Sequence, residues 1–204
     1  MNDPQKRAER VTFQRLDAAE ARQHRDLVAD IHRDAYAERI ATGDGFASGE
    51  AFLRRFDAYT SRDGFDLVFA HVDGVAVGQA WGWALTSGSA WWNGLEAEPE
   101  PGFADEDGTR TFALSEIMVR RSWTGQGIAR ALHDTLLAAR TEQRATLLVR
   151  PDNTTAYGAY TRWGWHKVAQ LRPGWPDAPL MDVLILPLAP GRSDEHRREH
   201  DRDA

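Results

Sequence analysis

The chain has 204 residues, 42% hydrophobic and 27% charged, a size and balance that suit one domain with a sizeable core. It contains no cysteine, which excludes disulfides, thiolate metal sites and cysteine nucleophiles. A formal net charge of −6 argues against nucleic acid as the main partner, and no apolar run is long enough to span a bilayer.

Residues Met1 to Gln14 are polar and charged, with no secretory signal visible, so a cytoplasmic location without a membrane partner is expected. Residues 1–10 read as a flexible N-terminus, 11–189 as a single domain and 190–204 as a disordered, charged tail. Val11 to Leu16 alternates as a first strand. Asp17 is the N-cap of a helix running to about Arg39, with Leu27, Ile31 and Ala35 at helical spacing. A loop at Thr42-Gly43-Asp44-Gly45 leads to a second helix capped by Ser48, with Phe52, Leu53 and Phe56 as its apolar residues. Strands at Leu67 to Val72 and Val75 to Leu85 flank Asp73-Gly74, a two-residue hairpin signal.

Thr86 to Gly108 is a long loop carrying Trp91, Trp92 and six carboxylates with no basic residue. Two readings stand side by side: a solvated insertion, or a negative lure for a cationic acceptor. A strand follows from about Arg110 to Val119, then a helix from about Gln126 to Arg140 with Ile128, Leu132 and Leu136 on one stripe, and a strand from Ala145 to Val149. That order implies a crossover between parallel strands. Asp152 or Asn153 caps another helix that Gly164 ends, with Ala156, Tyr160 and Trp163 on one face. Trp165 to Leu171 and Met181 to Leu186 close a mixed α/β sheet around the loop Arg172 to Pro179.

The densest chemical signal is the strand, glycine-rich turn and helix from Leu114 to Leu132. Such a turn aims backbone N–H groups and the positive end of a helix at one spot, which suits an anion. A Walker loop requires Lys then Ser or Thr after its last glycine, but Ile128 and Ala129 follow Gly127. A dinucleotide fingerprint requires a third glycine where Arg130 stands.

The turn Thr124-Gly125-Gln126-Gly127-Ile128-Ala129 resembles the pyrophosphate loop of the GNAT superfamily of acyl-CoA N-acyltransferases. Gly127 and Ala129 match that pattern, and Thr124 departs from its usual Gln or Arg. A later segment strengthens the resemblance through Asn153, Ala156, Tyr160, Gly164 and Trp165, in the family's order and at its spacing. Together the two segments cover roughly residues 110 to 171. The resemblance implies an α/β fold with a mixed, mostly antiparallel sheet, one splayed parallel strand pair and helices on both faces. It implies acetyl transfer from acetyl-CoA to a primary amine of a small molecule or peptide, in a ternary complex. A frequent homodimer also comes with the family.

The same resemblance assigns the site. Ile117, Met118 and Val119 would bond the pantetheine arm. Thr124, Gly125, Gln126, Gly127, Ile128, Ala129 and Arg130 would hold the diphosphate, and Asn153 and Tyr160 would complete the cofactor site. Tyr160 is the implied proton donor to the thiolate, against a reading as a core tyrosine with its hydroxyl at the rim.

Glu116 is the candidate base. It shares strand parity with Phe112, Leu114 and Met118, and a carboxylate on an apolar face has a raised pKa. An ion pair with an arginine such as Arg54 or Arg110 is the competing reading. Tyr36 and Phe46 fall where the family builds its acceptor wall. Trp81 and Trp83 could line the acceptor cleft or pack the core. His71, His133 and His166 lack ligand spacing, so no metal is expected, and His133 is read as partly exposed. A non-catalytic acyl-CoA sensor, and an enzyme using succinyl- or a longer acyl-CoA, remain alternatives.

Overall fold

The computed structural model describes residues 11–175 and 178–188. The expectations for residues 1–10 and 190–204 lie outside the described residues.

Strand β1 (Val11–Leu16) leads into Asp17, whose carboxylate accepts from the N–H groups of Ala19 and Glu20 while the Glu20 carboxylate accepts from the Asp17 N–H. This reciprocal capping satisfies donors that a helix start leaves orphaned. The expected single helix to Arg39 is instead three: α1 (Ala18–Gln23), α2 (Arg25–Ala35) and α3 (Ala37–Ala41). The breaks fall at His24 and Tyr36, which carry no glycine or proline signal. At the first, His24 sets its ring edge-on to the distant Phe69; at the second, Tyr36 stacks on His32, one helical turn back, at 4.9 Å. Helix α4 (Gly49–Tyr59) starts where expected, with Ser48 Oγ accepting from Ala51 N–H.

Strands β2 (Asp66–Val72) and β3 (Val75–Ala84) form the expected antiparallel hairpin, and β4 (Thr111–Val119) pairs antiparallel with β3. Helix α5 (Ile128–Ala138) is shorter than its apolar stripe suggested, because Gly127, at φ +81°, takes the N-cap place. Strand β5 (Arg144–Val149) runs parallel to β4. Helix α6 (Thr154–Arg162) is capped by Asn153, while Asp152 pairs with Arg150. Strands β6 (His166–Leu171) and β7 (Met181–Pro187) complete a seven-stranded sheet in the order β1-β2-β3-β4-β5-β7-β6. One pair is parallel and helices cover both faces, as the resemblance implied.

Two features of this sheet position the site. The parallel ladder joins only Thr111–Ala113 to Arg144–Thr146, after which β4 and β5 part. Beside the parting, the β3–β4 register skips Ser115: Trp81 faces Glu116, and the next residue, Gly82, faces Leu114. This bulge reverses the alternation of β4. Phe112 and Leu114 pack with Ile128, Leu132 and Leu136 of α5, whereas Met118 packs with Val28, Phe52 and Trp81 on the opposite face. The parity expected for Glu116 therefore holds with Met118 and fails with Phe112 and Leu114.

Gly82 makes room for the bulge. A Cβ there would lie 2.1 Å from the Ala113 carbonyl oxygen and 2.8 Å from the Phe112 ring. Trp81, Phe52 and Phe56 are fully buried beneath α4, each contributing about 1.5–3 kcal/mol by leaving water. His32 lies among them, 1% exposed and stacked on Phe52 at 3.9 Å, with neither ring nitrogen hydrogen-bonded among the described residues.

Two outcomes are expected. Gly82→Ala should cost about 3 kcal/mol or more, the range of overpacking a rigid site, read as a lower urea midpoint. For His32, burial first, then Arg55 and Arg33, lower its pKa from 6.5 to about 4. Between those values the unfolded chain binds a proton that the folded chain refuses, so stability falls as pH drops through that window. His32→Phe keeps the ring stack, so it should lose less stability than the parent protein between pH 7 and pH 5 in denaturant titrations.

Candidate active site

The parting of β4 and β5 opens a cavity of about 820 Å³, within the size range of small-molecule sites. Its floor is Ser115, Glu116 and Ile117 of β4 and Leu148 and Val149 of β5. One wall is Asn153, Ala156 and Tyr160 of α6. The other is built by Tyr36, Arg39, Phe46, Arg55 and Tyr59 from α3, α4 and their connections, with Trp175 and Met181 at one side. Of the residues singled out from sequence, Glu116, Ile117, Asn153, Tyr160, Tyr36 and Phe46 thus meet around one space.

Glu116 reaches the cavity because the Ser115 bulge re-aims it. Its ion-pair partner is Arg55, with Nη2 3.5 Å from Glu116 Oε1, and not Arg54 or Arg110. Arg54 pairs outward with Glu50, while Arg110 donates to the Gly102 and Asp105 carbonyls. Burial raises the Glu116 carboxyl pKa above the ordinary range, with Arg55 and, less strongly, Arg39 pulling it back. Arg55 itself is held: Nη1 donates to the Phe46 carbonyl at 3.0 Å, and the guanidinium lies 3.8 Å from the centre of the Phe46 ring. Sequence reasoning passed over Arg55. The signal was present, because Phe52, Arg55, Phe56 and Tyr59 fall on one helical stripe that faces inward.

Tyr160 comes from the opposite face of the sheet. Burial, then the nearness of Tyr36 and Glu116, hold its phenol protonated well above the ordinary range. Tyr36 is raised as well, by burial and Glu116, against the pull of Arg39 and Arg55. The space between the strands is therefore crossed by a carboxylate from one face and a phenol from the other.

The glycine turn lies beyond the end of β4, after a short 3-10 turn at Arg121–Trp123. Gly125 and Gly127 have φ of +71° and +81°, and a Cβ on either would meet nothing within 4 Å. Gly127 has no side chain to cap α5, so the first-turn N–H groups at Ile128, Ala129 and Arg130 face outward unmet by a cap. This is the arrangement an anion fits. The Arg130 guanidinium is committed elsewhere, 2.6 Å from Asp134 and over the Trp163 ring. Met118 and Val119 are buried, at 4% and 8% exposure, on the strand between cavity and turn. Asn153 spends its side-chain oxygen on the Ala156 N–H, at 3.3 Å.

The structure places Trp81 and Trp83 in the core behind Tyr59, which stacks on Trp83 at 4.0 Å, and so away from the cavity wall. His133 is 3% exposed, not partly exposed: its Nε2 accepts from Trp165 Nε1 at 2.9 Å, a buried contact that strand-and-helix periodicity does not reveal. The acidic loop is neither solvated throughout nor part of the cavity lining. Trp92 and Phe103 enter the core, and Glu106 accepts from Trp92 Nε1, Thr111 Oγ1 and Arg144.

Known proteins bear on this geometry directly. Residues 26–165 match the model of the acetyltransferase (GNAT) family. A comparison with curated proteins gives no match. Among solved structures, the ribosomal-protein-S18-alanine N-acetyltransferase from Escherichia coli has a TM-score of 0.58 at 16% identity, covering 90% of this chain and 97% of that one. A phosphinothricin acetyltransferase from Sinorhizobium meliloti, solved with acetyl-CoA, gives 0.58 at 16% over 90% and 91% of the two chains. A PaiA N-acetyltransferase from Thermoplasma acidophilum, solved with coenzyme A, gives 0.53 at 12% over 87% and 98%. At these identities the structural likeness speaks for the fold, and the matched family model speaks for descent: the chain belongs to the GNAT acetyltransferase family.

Proposed function

We propose that this protein is an N-acetyltransferase that moves an acetyl group from acetyl-CoA directly to a primary amine. The observation that carries the reading is the meeting of Glu116 and Tyr160 across the parted strands, in a chain whose glycine turn leaves the following helix start uncapped. Both the gap and the turn fit the donor: unpaired strand backbone suits an amide-rich arm, and the N–H groups of residues 128–130 suit a diphosphate. That two GNAT relatives of this fold were solved with coenzyme A or acetyl-CoA supports the same assignment.

The bound thioester supplies the acyl carbon and a sulfur leaving group. The chain must remove a proton from the incoming ammonium, polarise the carbonyl and meet the charge that develops on sulfur. Glu116 takes the ammonium proton, and its raised pKa suits it to that task. Of the backbone N–H groups of Ile117, Met118 and Val119, alternate ones turn toward the gap, since β3 takes the others, and one that faces it polarises the carbonyl. As the carbon–nitrogen bond forms and the carbon–sulfur bond breaks, Tyr160, protonated at neutral pH, donates its hydrogen to sulfur, and the second proton released by the nitrogen restores the phenol. Arg55 restrains the rise in the Glu116 pKa, and so sets the pH at which the base becomes active.

Three measurements check this reading. Calorimetry with acetyl-CoA should give saturable heat, and Gly127→Val, which forces a β-branched residue to positive φ, should weaken it by about tenfold or more. Absence of heat with the folded parent protein overturns the proposal. Tyr160→Phe and Glu116→Gln should each slow thiol release roughly a hundredfold or more while acetyl-CoA binding persists. Binding without release from any amine in the parent protein would favour the sensor. Finally, kcat/KM should rise with pH through the Glu116 ionisation. Arg55→Met, by removing the nearby cation, should move that rise to higher pH, and Glu116→Gln should abolish it.

A further inference from the structure

The cavity wall carries a charge pattern opposite to that of the chain. The protein has a net charge of −6, yet among the described residues four arginines, Arg39, Arg54, Arg55 and Arg150, line this space with two acidic residues, Asp44 and Glu116. Three of these arginines come from α3 and α4, on the face of the sheet opposite α5 and its glycine turn, so a diphosphate at the turn does not account for them. Their commitments differ. Arg54 and Arg150 pair with Glu50 and Asp152 at exposed positions, where solvent screens the charge. Arg39 is neutralised by Asp44, at 2.5 Å. Arg55 is mostly buried, and among the described residues its carboxylate partner is Glu116 alone, at 3.5 Å.

That pairing cannot last through the reaction proposed above. When Glu116 takes a proton, Arg55 is left as an uncompensated, poorly solvated cation, which is costly. An acceptor with its own negative group would remove that cost, and its ammonium would face Glu116 before transfer. An acceptor bearing only cations would leave the Arg55 guanidinium without a counter-charge once Glu116 is protonated. Above Arg55, Phe46 and Trp175 stack at 5.3 Å, 36% and 40% exposed, an apolar surface at the edge of the same space.

We infer that the acceptor is a free amino acid with an apolar side chain, its carboxylate held by Arg55 and its side chain laid against Phe46 and Trp175. This inference rests on the acetyltransferase reading and narrows its acceptor.

The experiment is a thiol-release assay with acetyl-CoA. It compares phenylalanine, leucine and methionine with their methyl esters, with phenethylamine, and with the polyamine spermidine. For the parent protein, kcat/KM should favour each free acid over its ester by at least about thirtyfold, the scale for losing one partner of a buried charge pair. In Arg55→Met that ratio should fall toward one, and Arg55→Lys should retain part of it. A parent ratio near one, or preference for esters, phenethylamine or spermidine, overturns the acceptor assignment and leaves the acetyltransferase reading standing. Thiol release from none of the amines overturns the acceptor assignment, and the acetyltransferase reading then falls separately if calorimetry shows no heat with acetyl-CoA. Because the parent ratio decides by itself, poor folding of either variant does not rescue the proposal.

Discussion

Everything in this molecule turns on an incomplete parallel ladder. Strands β4 and β5 are joined over three residue pairs and then separate, although each continues for several residues. Backbone polar groups left without partners inside a protein are costly, so a stretch of this kind persists where something else completes it. The parting creates the cavity, and it also removes the sheet as a barrier between the two faces. Only for that reason can a carboxylate from the α4 side and a phenol from the α6 side address one volume.

The neighbouring bulge does the fine positioning. With strict alternation, Glu116 would share the α5 face with Phe112 and Leu114, away from Arg55. One extra residue in β4 turns it toward Arg55 and Tyr36, so that its charge is modulated by a held guanidinium. Gly82 on β3 is the counterpart, since the bulging chain passes too close for any side chain there. Position, ionisation and stability at this point are thus one problem, solved by three residues on two strands.

Much of this was legible in the sequence. The strand boundaries, the Asp17 and Ser48 caps, the hairpin at Asp73-Gly74 and the glycine turn are local and carry residue-specific signals. Strand parity and the family pattern singled out Glu116 and Tyr160, and both line the cavity, although the parity of Glu116 with Phe112 and Leu114 fails at the bulge. What escaped was non-local. The helix break at His24 goes with a ring contact to Phe69 on another element, and the buried state of His133 comes from Trp165, thirty-two residues away. The Ser115 bulge depends on Gly82 in the neighbouring strand. Trp81 and Trp83 look the same as cleft aromatics in sequence, and only the packing of α4 over β3 consigns them to the core.

The segment between β3 and β4 illustrates a last point. By composition it is the kind of excursion an engineer would trim. Yet its Leu95 forms a bridge with Leu171, its Glu96 N–H donates to the Gln170 carbonyl, and its Gly94 carbonyl accepts from Arg172. It leaves one half of the sheet, fastens to the far edge strand and returns, so that it ties together the strands on either side of the β4–β5 seam. Cutting it would not merely shorten the protein. It would unbuckle two half-sheets whose own seam is only a few residues long.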